Sequence, residues 1–291
     1  MTNINGPLVM RYIPDVSRLY SNVQFYAAIN AVIQLCQSDS RFLGFTIAGP
    51  EHDHNAIKNF STQMAIIKLL CGIHKFTNYN LHAGELVAMI TDEGTMQNRI
   101  KDSLAAGSKR LGHCACLSDS ANWLTELIPD MKKKDCPVEV CFSSNENILG
   151  LSADNHPIVL LHQHGVPYVL CSDDAGVNRS TFPGEFIKVA QAYPHFTYQD
   201  FKRMSYNSIS YSFLPGDSIY ESRKTYELKP LFADLKAIGW KRTPEQREFL
   251  SKHAKAKMEA RLVREFVAFE NVVVPEMWSM YIRSKILTQQ D

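Results

Sequence analysis

The residues of this chain whose types and spacing can do chemistry are His82 with Glu85, then His113, then Asp173 with Asp174. Each set closes a short apolar, strand-like run: Asn80-Leu81-His82-Ala83-Gly84-Glu85, Arg110-Leu111-Gly112-His113 and Val169-Leu170-Cys171-Ser172-Asp173-Asp174. Two imidazoles and three carboxylates delivered from successive strand ends can hold a divalent metal and move protons beside it. His82 is placed to bind the metal, with Glu85 one turn away as a proton donor; the small Ala83-Gly84 pair lets backbone and ligand approach closely. Adjacent carboxylates after a strand point to different sides, so one can bind metal while the other hydrogen-bonds a ligand. Each segment also has a plain reading, as a structural strand-end histidine or a solvated turn before Gly176. Their common place at strand ends favours the chemical reading of the set.

The elements that must position these groups alternate between short β-rich runs and longer helical ones. Pro7–Ile13, Phe42–Ile47, Tyr79–His82, Arg110–His113, Val138–Cys141 and Tyr168–Cys171 read as strands, with helical spacing over Val23–Gln37, Ile57–Ile73, Thr95–Ala106, Ala121–Met131 and His156–Gly165 between them. This β/α rhythm predicts a parallel α/β sheet or barrel, with chemistry at the C-terminal ends of the strands. Six strands are two short of a closed (β/α)8 barrel. The polar end of Val140-Cys141-Phe142-Ser143-Ser144-Asn145 should border the same pocket, although a turn accounts for it as well.

After Asp174 the rhythm stops. Thr197–Phe213 reads as a helix closed by Leu214-Pro215-Gly216-Asp217, and Thr243-Pro244-Glu245 opens a Lys-, Arg- and Glu-rich helix running to about Asn271. The domain reading is a partial barrel over residues 1–220 and a C-terminal helical extension over 221–291, packed on the barrel.

Composition narrows the class. Apolar residues make up 45% of 291 positions, and 31 Lys plus Arg nearly cancel 30 Asp plus Glu, so net charge gives no support to a nucleic-acid partner. The seven cysteines are odd in number and sit mostly in apolar runs, which suits reduced thiols in a cytoplasmic protein; Cys114-Ala115-Cys116 reads as core. The first residues have no basic leader pattern, and no apolar run reaches membrane-spanning length. A soluble, cytoplasmic protein with no membrane partner is expected.

His82-Ala83-Gly84-Glu85, Leu111-Gly112-His113, Val138-Glu139-Val140-Cys141 with Ser144-Asn145, and Ser172-Asp173-Asp174 together resemble the adenosine deaminase family of the metal-dependent amidohydrolase barrels. Weaker echoes are Arg11-Tyr12-Ile13-Pro14, Ile47-Ala48-Gly49-Pro50-Glu51, and Asn207-Ser208 through Pro215, so the likeness runs in order from about residue 7 to 215. Some features are similar to the longer, growth-factor-like branch. The resemblance implies a TIM-type barrel and one Zn2+ per site, held by His82 and Asp173. It implies that Glu85 protonates the purine ring nitrogen beside the attacked carbon. His113 would orient the zinc-bound hydroxide, with Asp173 sharing its proton transfers. Asp174, Gly49 and Gly84 would contact the substrate, adenosine or a related purine nucleoside.

The family's first strand carries a His-x-His pair that supplies two further ligands, and no strand here carries one. A complementing N-terminal segment or a homo-oligomer is expected to complete the site. The alternatives are an inactive deaminase-like protein that binds a purine or a protein, or a rebuilt site using the His-x-His pair His52 and His54. Smaller departures from the family pattern are Cys114, Phe142 and Ala175.

Overall fold

The computed structural model describes residues 9–119 and 124–287. The described residues divide into two compact units between Ser205 and Tyr206.

The first unit is built on six parallel strands: β1 (Asp15–Ser17), β2 (Phe45–Ala48), β3 (Tyr79–Ala83), β4 (Arg110–His113), β5 (Val138–Val140) and β6 (Tyr168–Leu170). They pair in chain order, each with its sequence neighbours alone. A strand order without reversal has no switch point, which separates it from doubly wound sheets and matches barrel winding. The fold is α/β, an incomplete TIM-type barrel of six strands. Between and after the strands lie α1 (Asn22–Ser38), α2 (His54–His74), α3 (Glu93–Ala106), α4 (Leu124–Lys133), α5 (Phe142–Leu149), α6 (Ile158–Gln163), α7 (Ala175–Asn178), α8 (Phe182–Ala192) and α9 (Tyr198–Ser210).

Period-two alternation gives the sheet two unlike faces. Phe45, Ile47, Tyr79 and Leu81 join one buried apolar cluster, and Leu111, Val138, Val140, Tyr168 and Leu170 join a second with residues of α3, α4, α6 and α8. The alternate positions on β3 to β5 include Asn80, His82, Arg110, Glu139 and, just past β5, Cys141. Arg110 Nε lies 2.6 Å from a Glu139 carboxylate oxygen, and Asn80 donates to the other at 2.9 Å. One face is thus apolar core, and the other a polar lining that leads to the strand ends.

Several elements differ from the sequence reading for identifiable reasons. The first strand is not Pro7–Ile13: Tyr12 makes one isolated bridge to Phe42, and regular pairing starts at Asp15. Pro14 has no N–H for a ladder but its carbonyl accepts from Thr46, so the ladder opens after it. Residues 7 and 8 of that run, and 121–123 of the helix expected from Ala121, lie outside the described residues. The turn reading after Cys141 gives way to α5, ended by Gly150 in the left-handed region. The β/α rhythm stops after Asp174 as the sequence reads, since no described strand joins the sheet after β6; what the sequence reading left unmarked there are α7 and α8, the latter with its N-cap Thr181 accepting from Gly184 and Pro183 in the first turn.

The second unit holds the end of α9, a hairpin of β7 (Tyr220–Ser222) and β8 (Glu227–Leu228), α10 (Pro244–Lys252) and α11 (Ala254–Leu287). Residue 220, where the sequence marks the end of the barrel part, opens this hairpin. Thr243 and Gln246 form a reciprocal capping box at the start of α10. The single helix expected to Asn271 breaks at His253, whose backbone is extended and whose Nδ1 accepts from the Asp217 N–H at 2.7 Å. No helix among the described residues is long and apolar enough to cross a membrane.

Candidate active site

The strand ends of β3 to β6 bring His82, Glu85, His113, Cys141 and Asp173 together. His82 stands beside Gly112 in the β3–β4 register. A Cβ at Gly112 would lie 2.7 Å from His82 Cδ2, so glycine there makes room for the ring. The rings of His82 and His113 meet edge to face, with centroids 4.6 Å apart. The Glu85 carboxylate spans them, 3.8 Å from His82 Nδ1 and 3.7 Å from His113 Nε2. His113 and Asp173 adopt left-handed backbone (φ 63° and 42°), which costs non-glycine residues energy and is typical of sites that aim a side chain. Gly84 is also left-handed (φ 76°), and a Cβ there would run into Cys116 Sγ.

A buried charged cluster holds the His82–Glu85 segment. The Glu51 carboxylate accepts from the Gly84 and Glu85 N–H groups at 3.0 and 3.1 Å. Arg18 and Arg99 flank it at 3.6 and 3.5 Å, and all three side chains are almost fully buried. Arg18 also donates to the His82 carbonyl at 3.0 Å, and Gln63 donates to the Arg18 carbonyl at 2.7 Å. Behind His113, its Nδ1 faces Asn145 Oδ1 at 3.1 Å, and Asn145 Nδ2 faces His156 Nε2 at 3.2 Å.

Electrostatics follow from this enclosure. Burial raises the Glu85 pKa; the neighbouring carboxylates of Glu51 and Asp173 push the same way, against His113 and Arg18. Burial also holds the His82 ring well below its ordinary value, with His113 and Arg18 adding to the effect. Cys141 is pushed well up, first by its hydrogen bond with Cys171 and then by burial. Glu85 is therefore biased to keep a proton and His82 to keep a free lone pair.

The donor chemistry suits a divalent zinc-like ion. Among the described residues, two groups place three ligand atoms within 4.8 Å of one another: His82, Glu85 and His113, and His113, Cys141 and Asp173. His82 Nδ1 is buried with no hydrogen-bond partner, a ring nitrogen that a bound ion could satisfy. His52 and His54 belong to neither group and are exposed, at the start of α2. Asp174 is exposed and precedes α7 without capping it through its side chain. Gly49 follows β2 at φ 112°, against Ser17 and Arg18. Sequence reading assigned no role to Arg18, Glu51 or His156; Glu51 stood inside the Ala48-Gly49-Pro50-Glu51 echo, whereas His156 carried no local signal.

The adenosine deaminase family model matches residues 9–224. This chain belongs to the adenosine deaminase family. Among curated members it is similar to N6-methyl-AMP deaminase of Bos taurus, 30% identical over 154 residues, covering 52% of this chain and 42% of that protein. It is also similar to adenosine deaminase of Aedes albopictus, 29% identical over 213 residues, covering 70% of this chain and 37% of that one. The chain thus spans about half, or less, of the curated relatives it matches. Its fold is similar to that of an Arabidopsis N6-methyl-AMP deaminase, with TM-score 0.57 and 18% identity over 70% of this chain and 55% of that one. A zinc-bound amidohydrolase of Burkholderia ambifaria gives TM-score 0.56 and 14% identity over 89% of this chain and 58% of that one.

Proposed function

We propose that this chain carries the proton-transfer half of a zinc-dependent adenosine deaminase site, converting adenosine or deoxyadenosine and water to inosine or deoxyinosine and ammonia. The observation that carries this reading is the enclosed Glu85 carboxyl, set between His82 and His113 and biased by burial to hold a proton. A carboxylic acid kept protonated near neutrality can hand that proton to a ring nitrogen, which makes the adjacent amino-bearing carbon more electrophilic. His113 orients the attacking water, and Asp173 beside it shares the proton transfers. His82 and Asp173 would hold the zinc, which supplies activated water at neutral pH when bound. Gly49, Gly84 and Asp174 are assigned to the purine.

Catalytic zinc is usually held by three protein ligands. Two further histidine donors are taken to come from a complementing segment or a second copy of the chain. The alternative reading, an inactive purine- or protein-binding relative, is supported by the two donor sets sharing His113 rather than closing on one ion. A cytoplasmic setting is supported by seven free cysteines.

The test is zinc content per purified chain, measured beside the change in ultraviolet absorbance on adenosine and on N6-methyl-AMP. Turnover of adenosine with bound zinc supports the reading. Turnover of the methylated nucleotide alone moves the substrate assignment, and zinc-loaded protein inert on both favours the inactive alternative.

A further inference from the structure

The side chains behind His113 carry a consequence for where its proton sits. The Ile158 backbone N–H, a donor that cannot change role, points at His156 Nδ1 at 3.2 Å. His156 Nδ1 must therefore accept, and a neutral imidazole that accepts at Nδ1 carries its proton on Nε2. The ring is neutral: it is 3% exposed, and burial pushes its pKa down to about 3.

The Nε2–H of His156 faces the Asn145 side-chain amide at 3.2 Å. Asn145 is fully buried, so a donor meeting its NH2 group would leave two buried donors unsatisfied. Rotating the amide by half a turn, a choice that hydrogen bonding decides, places Oδ1 against His156 and Nδ2 against His113 Nδ1. Both contacts then have one donor and one acceptor.

We infer that Asn145 and His156 are positioning residues that fix the His113 tautomer, with Nδ1 accepting from Asn145 and the ring proton held on Nε2 toward Glu85. His113 thus meets the reacting groups as a hydrogen-bond donor. It orients the attacking oxygen through Nε2–H and does not begin by taking a proton there. The initial proton acceptor is then the Asp173 carboxylate, since Glu85 starts protonated. The proton that leaves water goes to that carboxylate, and the one reaching the purine ring comes from Glu85. The division of labour rests on the deaminase reading, whereas the tautomer does not.

The test is nitrogen-15 NMR of the histidine rings in the full chain, with the His113 signals assigned by their loss in His113→Asn. The wild type should show a protonated Nε2 and a bare, hydrogen-bonded Nδ1. Asn145→Asp keeps the shape but can only accept, so the His113 proton should move to Nδ1, with kcat falling on the order of 10²-fold or more. His156→Phe keeps the packing against Phe142 but frees the amide, and mixed tautomers should appear. His156→Gln, which can accept from Ile158 and donate to Asn145, should restore the wild-type pattern. A wild-type His113 with its proton on Nδ1, or a tautomer unmoved in folded Asn145→Asp, overturns the inference. The NMR pattern needs no turnover, so the expected tautomer in a protein inert on purines removes the deaminase reading and leaves the inference standing.

Discussion

The two faces of the six-stranded sheet are built on opposite logic. On the outer face Leu81, Leu111, Val138 and Leu170 are buried among other apolar side chains, and shape and volume are all that is asked of them. On the inner face and at the strand ends the groups are charged or polar and depend on named partners: Glu139 on Arg110 and Asn80, Glu51 on Arg18, Arg99 and two backbone N–H groups. The outer face contributes stability that any well-fitting hydrophobe could supply. The inner face is costly to desolvate and fixes geometry, which is why chemistry can be placed there.

That contrast can be broken most sharply at Glu85. Glu85→Gln keeps the shape but removes the transferable proton, and turnover on the accepted purine should fall by about 10²–10⁴-fold with bound metal unchanged. Activity surviving in that variant would take the proton donor elsewhere. At Glu51 the loss should be structural as well. Glu51→Gln leaves two buried guanidinium groups without their carboxylate and should lower stability by about 3–5 kcal/mol in urea melts. Turnover should fall too, because the Gly84 and Glu85 N–H groups lose a charged acceptor.

The outer face should respond differently. Leu111→Ala, at a fully buried position, should cost about 2–5 kcal/mol in the same melts, yet leave kcat per folded molecule unchanged. A large kcat loss there would erase the distinction between the faces. A smaller effect should appear in the pH dependence of stability. Because the folded-state pKa of Glu85 is raised, the folded protein retains a proton that the unfolded chain releases above about 4.5. Wild-type stability should therefore decline relative to Glu85→Gln as pH rises from there to the raised folded value, and the difference should be flat outside that window. Paired melts from pH 4 to 8 would show it. The smallest change is expected at exposed Asp174: Asp174→Asn should weaken purine affinity without altering zinc content, as read by calorimetry.

The strand ends were legible because each closes an apolar run with residues of unmistakable chemistry: His82 and Glu85 about Ala83-Gly84, His113 after Gly112, Asp173 after Ser172. The six-strand rhythm was legible for a related reason, since helix and strand periods alternate cleanly up to Tyr168. What could not be read is long-range. Arg18 reaches the His82 carbonyl across 64 positions, Glu51 reaches Gly84 across 33, and Asn145 reaches His113 across 32. No local pattern announces such pairings. The misplaced first strand has a different origin: Val9, Met10 and Tyr12 form an apolar run but are exposed, and the ladder waits for Pro14 to pass. The helix α5 was hidden by Ser, Asn and Phe, residues whose intrinsic helix preference is weak and which packing overrules.

The sequential pairing of β1 to β6 also bears on how the unit comes into being. Each new strand starts about thirty residues after the one it pairs with, from Asp15 to Phe45, Tyr79, Arg110, Val138 and Tyr168. No early strand has to wait for a distant one, so every loop closed is short and the conformational search stays local. A chain leaving the ribosome can dock each β/α unit on the one before it as it emerges, with the charged lining assembled before β6 is made. The histidines and the carboxylates of the site then come together last, when Asp173 arrives.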